Sequence, residues 1–137
     1  MGTWAVDAFG NDYAQDWAED LHETSNLDAV EDTLNTVLEA AGELEAPFAA
    51  EALVAIEVLA RLQGKGGPAT EDSAAVDEWV AARKPKAKPR ADLADKAARA
   101  LDRILATDSE LRQLWQESEH YNDWQAAVAD LKNRCQV

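Results

Sequence analysis

Apolar side chains recur every three or four residues along nearly the whole chain, and no stretch alternates with period two for long enough to compete, so the pattern predicts an all-α fold. Tyr13, Trp17 and Leu21 form the first stripe, in a helix over residues 12–23 with Asn11 as N-cap and Asp12 facing the positive helix start. Ser25 with Asp28 predicts the start of a second helix, whose stripe is Leu27, Val30, Leu34, Val37, Leu38 and Ala41 and whose end is Gly42. Pro47 suits the first turn of a third helix. There Phe48, Ala52, Ala55, Ile56, Leu59 and Leu62 share one face, and Ala49, Leu53, Val54 and Val58 widen it enough to place this helix at the centre of the domain. Gly64, Gly66, Gly67 and Pro68 stop it.

Thr70 is the expected cap of a short fourth helix carrying Val76, Trp79 and Val80. It runs into Arg83-Lys84-Pro85-Lys86-Ala87-Lys88-Pro89-Arg90, which reads as an extended basic linker. A fifth helix follows with Leu93, Ala97, Leu101, Ile104 and Leu105 facing inward, and Thr107 with Glu110 reads as a capping box for a sixth carrying Leu111, Leu114 and Trp115. Asn122 is the expected cap of a seventh, with Trp124, Ala127, Val128, Leu131 and Cys135 on one side. The expectation is a single compact domain over 1–137, of about seven helices, with an aromatic N-terminal leader of Trp4 and Phe9 and a basic, proline-containing loop near 83–90.

Charge changes the picture most. Residues 1 to 60 carry fourteen Asp and Glu and no Lys or Arg, while the remaining thirteen acids share residues 61 to 137 with all thirteen bases. The formal charge of −14 therefore belongs to the N-terminal half. Such an excess opposes binding to nucleic-acid backbones and to anionic membrane surfaces, and favours a basic protein partner. The longest apolar stretch, Ala52 to Leu62, is interrupted by Glu57 and Arg61 and is too short for a membrane span. A lone cysteine, Cys135, can form no internal bridge; with no basic-then-apolar N-terminal signal, the expectation is a cytoplasmic protein.

The strings Met1-Gly2-Thr3-Trp4, Phe9-Gly10-Asn11-Asp12 and Trp17 resemble the start of a bacterial family known as domain of unknown function four-two-five-nine. The similarity continues through Leu44-Glu45-Ala46-Pro47, Glu51-Ala52-Leu53, Ala100-Leu101-Asp102-Arg103, Asp108-Ser109-Glu110-Leu111, Leu114-Trp115, Trp124 and Asp130-Leu131. The chain departs from the family pattern at Ala5, where Gly is usual, and at Phe48 and Ala50, where more polar residues are expected. The resemblance implies a small, soluble bacterial protein and no particular activity.

No nucleophile motif, phosphate-binding loop, dinucleotide fingerprint or zinc-protease motif is present, and no cofactor is expected. His22 and His120 read as solvated or locally hydrogen-bonded. Gly64-Lys65-Gly66-Gly67 has the composition of a phosphate cradle, but it follows a helix and precedes Pro68, so it reads as a turn. Asp12, Asp16, Glu19, Asp20 and Glu23 cluster on the first helix; diffuse counterions suit them better than a bound metal, because a helix splays its carboxylates outward. They are the candidate partner-binding face. Trp4, Phe9, Asn11, Trp17, Trp115 and Trp124 are the candidate anchors, with the leader folded back as a plug over the bundle. The favoured reading is a non-enzymatic interaction or regulatory module of inhibitor or immunity type. The alternative is a carboxylate-based, metal-assisted or general acid–base hydrolase around Asp12, Asp16, Glu51 and Glu57.

Overall fold

The computed structural model of the chain describes residues 8–24, 27–67, 69–83 and 90–134. Among them the chain forms seven helices and no strand: α1 (Asp12–Leu21), α2 (Asp28–Leu38), α3 (Ala46–Leu62), α4 (Ala74–Arg83), α5 (Ala91–Ile104), α6 (Glu110–Gln116) and α7 (Tyr121–Arg134). The all-α fold is the one the periodicity requires.

Thirteen of the seventeen residues of α3 are buried, and α3 packs against each of the other six helices. A helix apolar on every side must lie inside, and this one is the hub. Around it α2 pairs with α5, α1 with α4, and α7 with both α5 and α6. One continuous apolar core runs from Phe9 to Leu131. Trp17, Trp79, Trp115 and Trp124 are all buried in it. The Trp17 indole donates to Thr33 Oγ1 at 2.9 Å and the Trp79 indole to the Thr24 carbonyl at 3.0 Å, so each buried N–H has a partner. The Trp115 and Trp124 rings stack, with centroids 6.2 Å apart. Cations of the second half link helices at the rim, Lys96 to Glu31 across α5 and α2 at 2.8 Å and Lys132 to Asp102 across α7 and α5 at 2.7 Å.

Several local expectations are corrected. α1 ends at Leu21, because the N–H groups of His22 and Glu23 close tight turns onto the Glu19 and Asp20 carbonyls. Its buried stripe is Ala14, Trp17, Ala18 and Leu21, which turns Tyr13 outward with 42% exposure. Phe48 is likewise 41% exposed, since Ala46, Ala49 and Ala50 occupy the inward positions of the first turns of α3. Thr70 does not cap α4 directly: its Oγ1 accepts from the Ser73 N–H, closing a turn, and the helix starts afterwards at Ala74. α6 is capped by Ser109, whose Oγ accepts from the Arg112 N–H, not by Thr107. Glu110 caps a different helix, its Oε1 accepting the Ala46 N–H at 2.8 Å at the start of α3. Asn122 lies inside the first turn of α7, where Trp124 N–H already donates to the His120 carbonyl. Trp4, Ser25, the linker residues 84–89 and Cys135 lie outside the described residues, so the expectations placed on them do too.

Candidate functional site

Asn11 starts α1 from an extended backbone conformation, and its side chain accepts from the Ala14 N–H at 2.9 Å. Gln15 donates to the Phe9 carbonyl at 2.8 Å and to the Asp72 carbonyl at 2.9 Å, tying α1 to the leader and to the turn before α4. His22 Nε2 lies 2.9 Å from the Ala75 carbonyl and fixes the other end. With the Trp17 and Leu21 side held inward, Asp12, Asp16, Glu19 and Asp20 face solvent, and Glu23 follows in the turn after the helix. All five are exposed. From Asp12 to Asp20 they extend over roughly 12 Å at the helical rise of 1.5 Å per residue.

Among the described residues, none of these five carboxylates belongs to an ion pair. Two other acids of the N-terminal half are engaged, Glu31 by Lys96 and Arg90, and Glu57 by Arg61 and Arg134. The negative field of α1 is felt by its neighbour. Half-buried Glu51 of α3 has its carboxyl pushed above the usual carboxylate range, first by burial and then by the Asp20 charge.

Sequence reasoning missed the second charged feature. Glu57 and Arg61 read as interruptions of an apolar stretch, yet both are only 6% exposed and sit at the heart of an ionic brace. Arg61 donates from Nε to Asp77 at 2.7 Å and from a terminal nitrogen to Glu57. Arg134 donates to Glu57 Oε1 at 2.7 Å and to Asp130 at 2.7 Å. Ser73 donates to the other oxygen of Asp77 at 2.7 Å. Burial works against the Arg134 charge but is outweighed by the hydrogen bonds to Glu57 and Asp130, so its pKa is raised. The brace joins α3, α4 and α7. The signal available in the sequence was the i, i+4 spacing of an acid and a base inside an otherwise apolar helix. Phe9 is buried with the Arg61 guanidinium 4.9 Å above its ring centre, and Gly66 covers the same side chain so closely that a Cβ there would overlap it. The glycine run is thus a turn, as expected, and also a cover for Arg61.

An apolar cavity of about 220 Å³ lies against this brace, lined by Phe9, Leu53, Val128 and Leu131 together with Glu57 and Arg134. Asp12, Asp16 and Glu51 are not part of that lining. The four carboxylates of the hydrolase reading are therefore distributed: two on the exposed face of α1, Glu51 beside Asp20, and Glu57 within the brace. Among the described residues, no group of three or more His, Cys, Asp or Glu could hold a metal ion, and no helix is long and apolar enough to cross a membrane. His120 sits 3.6 Å from Asp123 at the exposed start of α7.

No curated protein and no solved structure matches the chain. The family model described as Domain of unknown function (DUF4259) does match, over residues 2–127 from the leader into α7, and the chain belongs to that family.

Proposed function

We propose that the chain is a cytosolic, one-domain binding module, without catalysis of its own, that recognises a basic protein partner through the carboxylate face of α1, as an inhibitory, immunity-type or regulatory protein does. The observation that carries this reading is the contrast within the acidic half. Glu31 and Glu57 are neutralised by cations from the second half, whereas Asp12, Asp16, Glu19, Asp20 and Glu23 stand exposed and unpaired among the described residues. Exposed carboxylates along one rigid helix raise encounter rates with a cationic surface and reject anionic ones.

The test is affinity capture from native lysate at low and moderate salt, followed by association kinetics with the basic protein recovered. Reversing Asp16, Glu19, Asp20 and Glu23 together to Lys changes solvent-facing positions only, so the variant should fold. It should associate more slowly and lose the steep salt dependence of the wild type. A reversed variant that binds with unchanged rate and salt dependence would sink the proposal. The hydrolase alternative has one observation in its favour, the raised carboxyl of Glu51 beside Asp20. A measurable turnover abolished by Glu51→Gln alone would promote it.

A further inference from the structure

We infer that Tyr13 and Phe48 flank a preformed cleft on the acidic half that seats a basic segment of the partner protein, the aliphatic stems of its Lys or Arg side chains lying on the two rings and their heads meeting Glu39, Glu43 and Glu45. The inference rests on the binding-module reading and gives it a place on the surface apart from the α1 carboxylates.

Tyr13 and Phe48 are the two exposed large hydrophobic side chains among the described residues, 42% and 41% accessible, where the others described are buried or partly buried. Each borders a cleft, and the two clefts meet at one loop. A cleft of about 370 Å³ holds Glu39, Glu43, Glu45 and Phe48, and one of about 450 Å³ holds Tyr13, Glu43, Glu45 and Glu110.

The loop between them is held rigidly. Gly42 turns the chain with φ +73, after which Leu44 is fully buried while Glu43 and Glu45 on either side are exposed, the alternation of an extended segment. Leu44 N–H donates to the Asp108 carbonyl at 2.9 Å, and Glu110 N–H returns to the Leu44 carbonyl at 2.8 Å. Arg103 pairs with Asp108 at 2.6 Å and also donates to the Gly42 carbonyl. Binding to groups already fixed in place costs little ordering entropy.

Charge selects the occupant. Glu39, Glu43 and Glu45 belong to no ion pair among the described residues, and the rings beside them offer negative π faces. A side chain with an apolar stem and a cationic head satisfies both at once. A second copy of this chain would bring its own acidic half, with the net charge of −14 opposing the approach.

The probe is a fluorescein-labelled hexa-arginine peptide, with hexa-citrulline as the neutral isostere, titrated into the full chain by fluorescence anisotropy. The wild type should bind the arginine peptide and ignore the citrulline one. Phe48→Ser should weaken binding about fivefold and the double variant Tyr13→Ser/Phe48→Ser about 25-fold, the loss of one exposed cation–π contact per ring. These variants keep every charge, so diffuse attraction cannot account for the loss. Both side chains are exposed, and circular dichroism is the control for the fold of the variants; Phe48→Leu, which keeps apolar bulk without a ring, should lose part of the affinity. Wild-type affinity in the double variant would overturn the cleft, as would failure of the wild type to bind hexa-arginine. In either case the α1 reading stands or falls separately, on the effect of the fourfold reversal on the captured partner. Sedimentation showing a dimer that Phe48→Ser dissolves would also overturn the inference, by making a second copy the occupant.

Discussion

Replacing Glu57 by Leu should expose how much of the fold depends on the brace between α3, α4 and α7. The carboxylate is 6% exposed and accepts hydrogen bonds from both Arg61 and Arg134. Removing one member of a buried ion pair typically costs 3–5 kcal/mol, roughly, because the partner charge stays buried and loses its compensation. Two features place this case at the low end. Arg61 keeps Asp77 at 2.7 Å, and Arg134, 22% exposed, keeps Asp130 and can turn toward water. A loss of about 3 kcal/mol is expected, which for a domain of this size lowers Tm by about 12 °C. Urea denaturation followed by circular dichroism measures the first quantity and a thermal scan the second. Glu57→Leu combined with Arg61→Met removes charges of both signs and should recover much of the loss, whereas Arg61→Lys in the otherwise unchanged chain, lacking the planar fork that reaches two carboxylates, should itself be less stable than wild type. A Glu57→Leu variant within about 0.5 kcal/mol of wild type would refute the brace as a stabilising element. So would a double variant less stable than the single one.

Glu51 carries a pH prediction. Its folded carboxyl is raised, so over the window from the ordinary value of about 4.3 upward the native state holds a proton that the unfolded state has lost, and stability falls as pH rises through that window. Glu51→Gln should therefore be more stable than wild type at pH 7, with the advantage vanishing below about pH 4; a variant destabilised at pH 7 contradicts the sign. Glu110→Ala should cost about 1 kcal/mol by removing the acceptor at the start of α3, and amide exchange at Ala46 should quicken while α6 keeps its Ser109 cap.

The helices were legible because their signals are local. An apolar period and a nearby cap or glycine are enough to place α1 to α7 to within a few residues. What escaped is set by packing across the chain. Tyr13, Trp17 and Leu21 fit an inward stripe as well as Ala14, Trp17, Ala18 and Leu21 do, and the structure chooses the second because small Ala side chains permit close helix contact while adding little to a hydropathy pattern. α3 is apolar all round, so its sequence holds no phase information to mark Phe48 as outward. Glu110 stands three residues after Thr107, the spacing of a capping box, yet its acceptor serves a helix 64 positions away, which no local pattern announces.

The charge asymmetry was plain in the sequence, but its spatial meaning follows from topology. α1 packs mainly on α3 and α4, and α2, which Trp17 reaches through Thr33, carries no cation. The one cation of α3, Arg61, is held by Glu57 and Asp77, and Arg83 of α4 is stacked 4.3 Å over the Trp79 ring with a hydrogen bond to the Thr24 carbonyl. The other described cation-bearing helices, α5, α6 and α7, pack on α2, on α3 and on one another, where Lys96 and Arg134 meet Glu31 and Glu57. The chain thus carries as many bases as its second half has acids and still delivers none of those described to the four carboxylates of α1 or to Glu23 after it. Solubility needs net charge but not five unpaired carboxylates along one ordered segment. Segregated, unpaired charge held on a rigid support is what steering a cationic partner requires, and on the proposed reading the exposed rings would add the short-range hold that electrostatics alone does not.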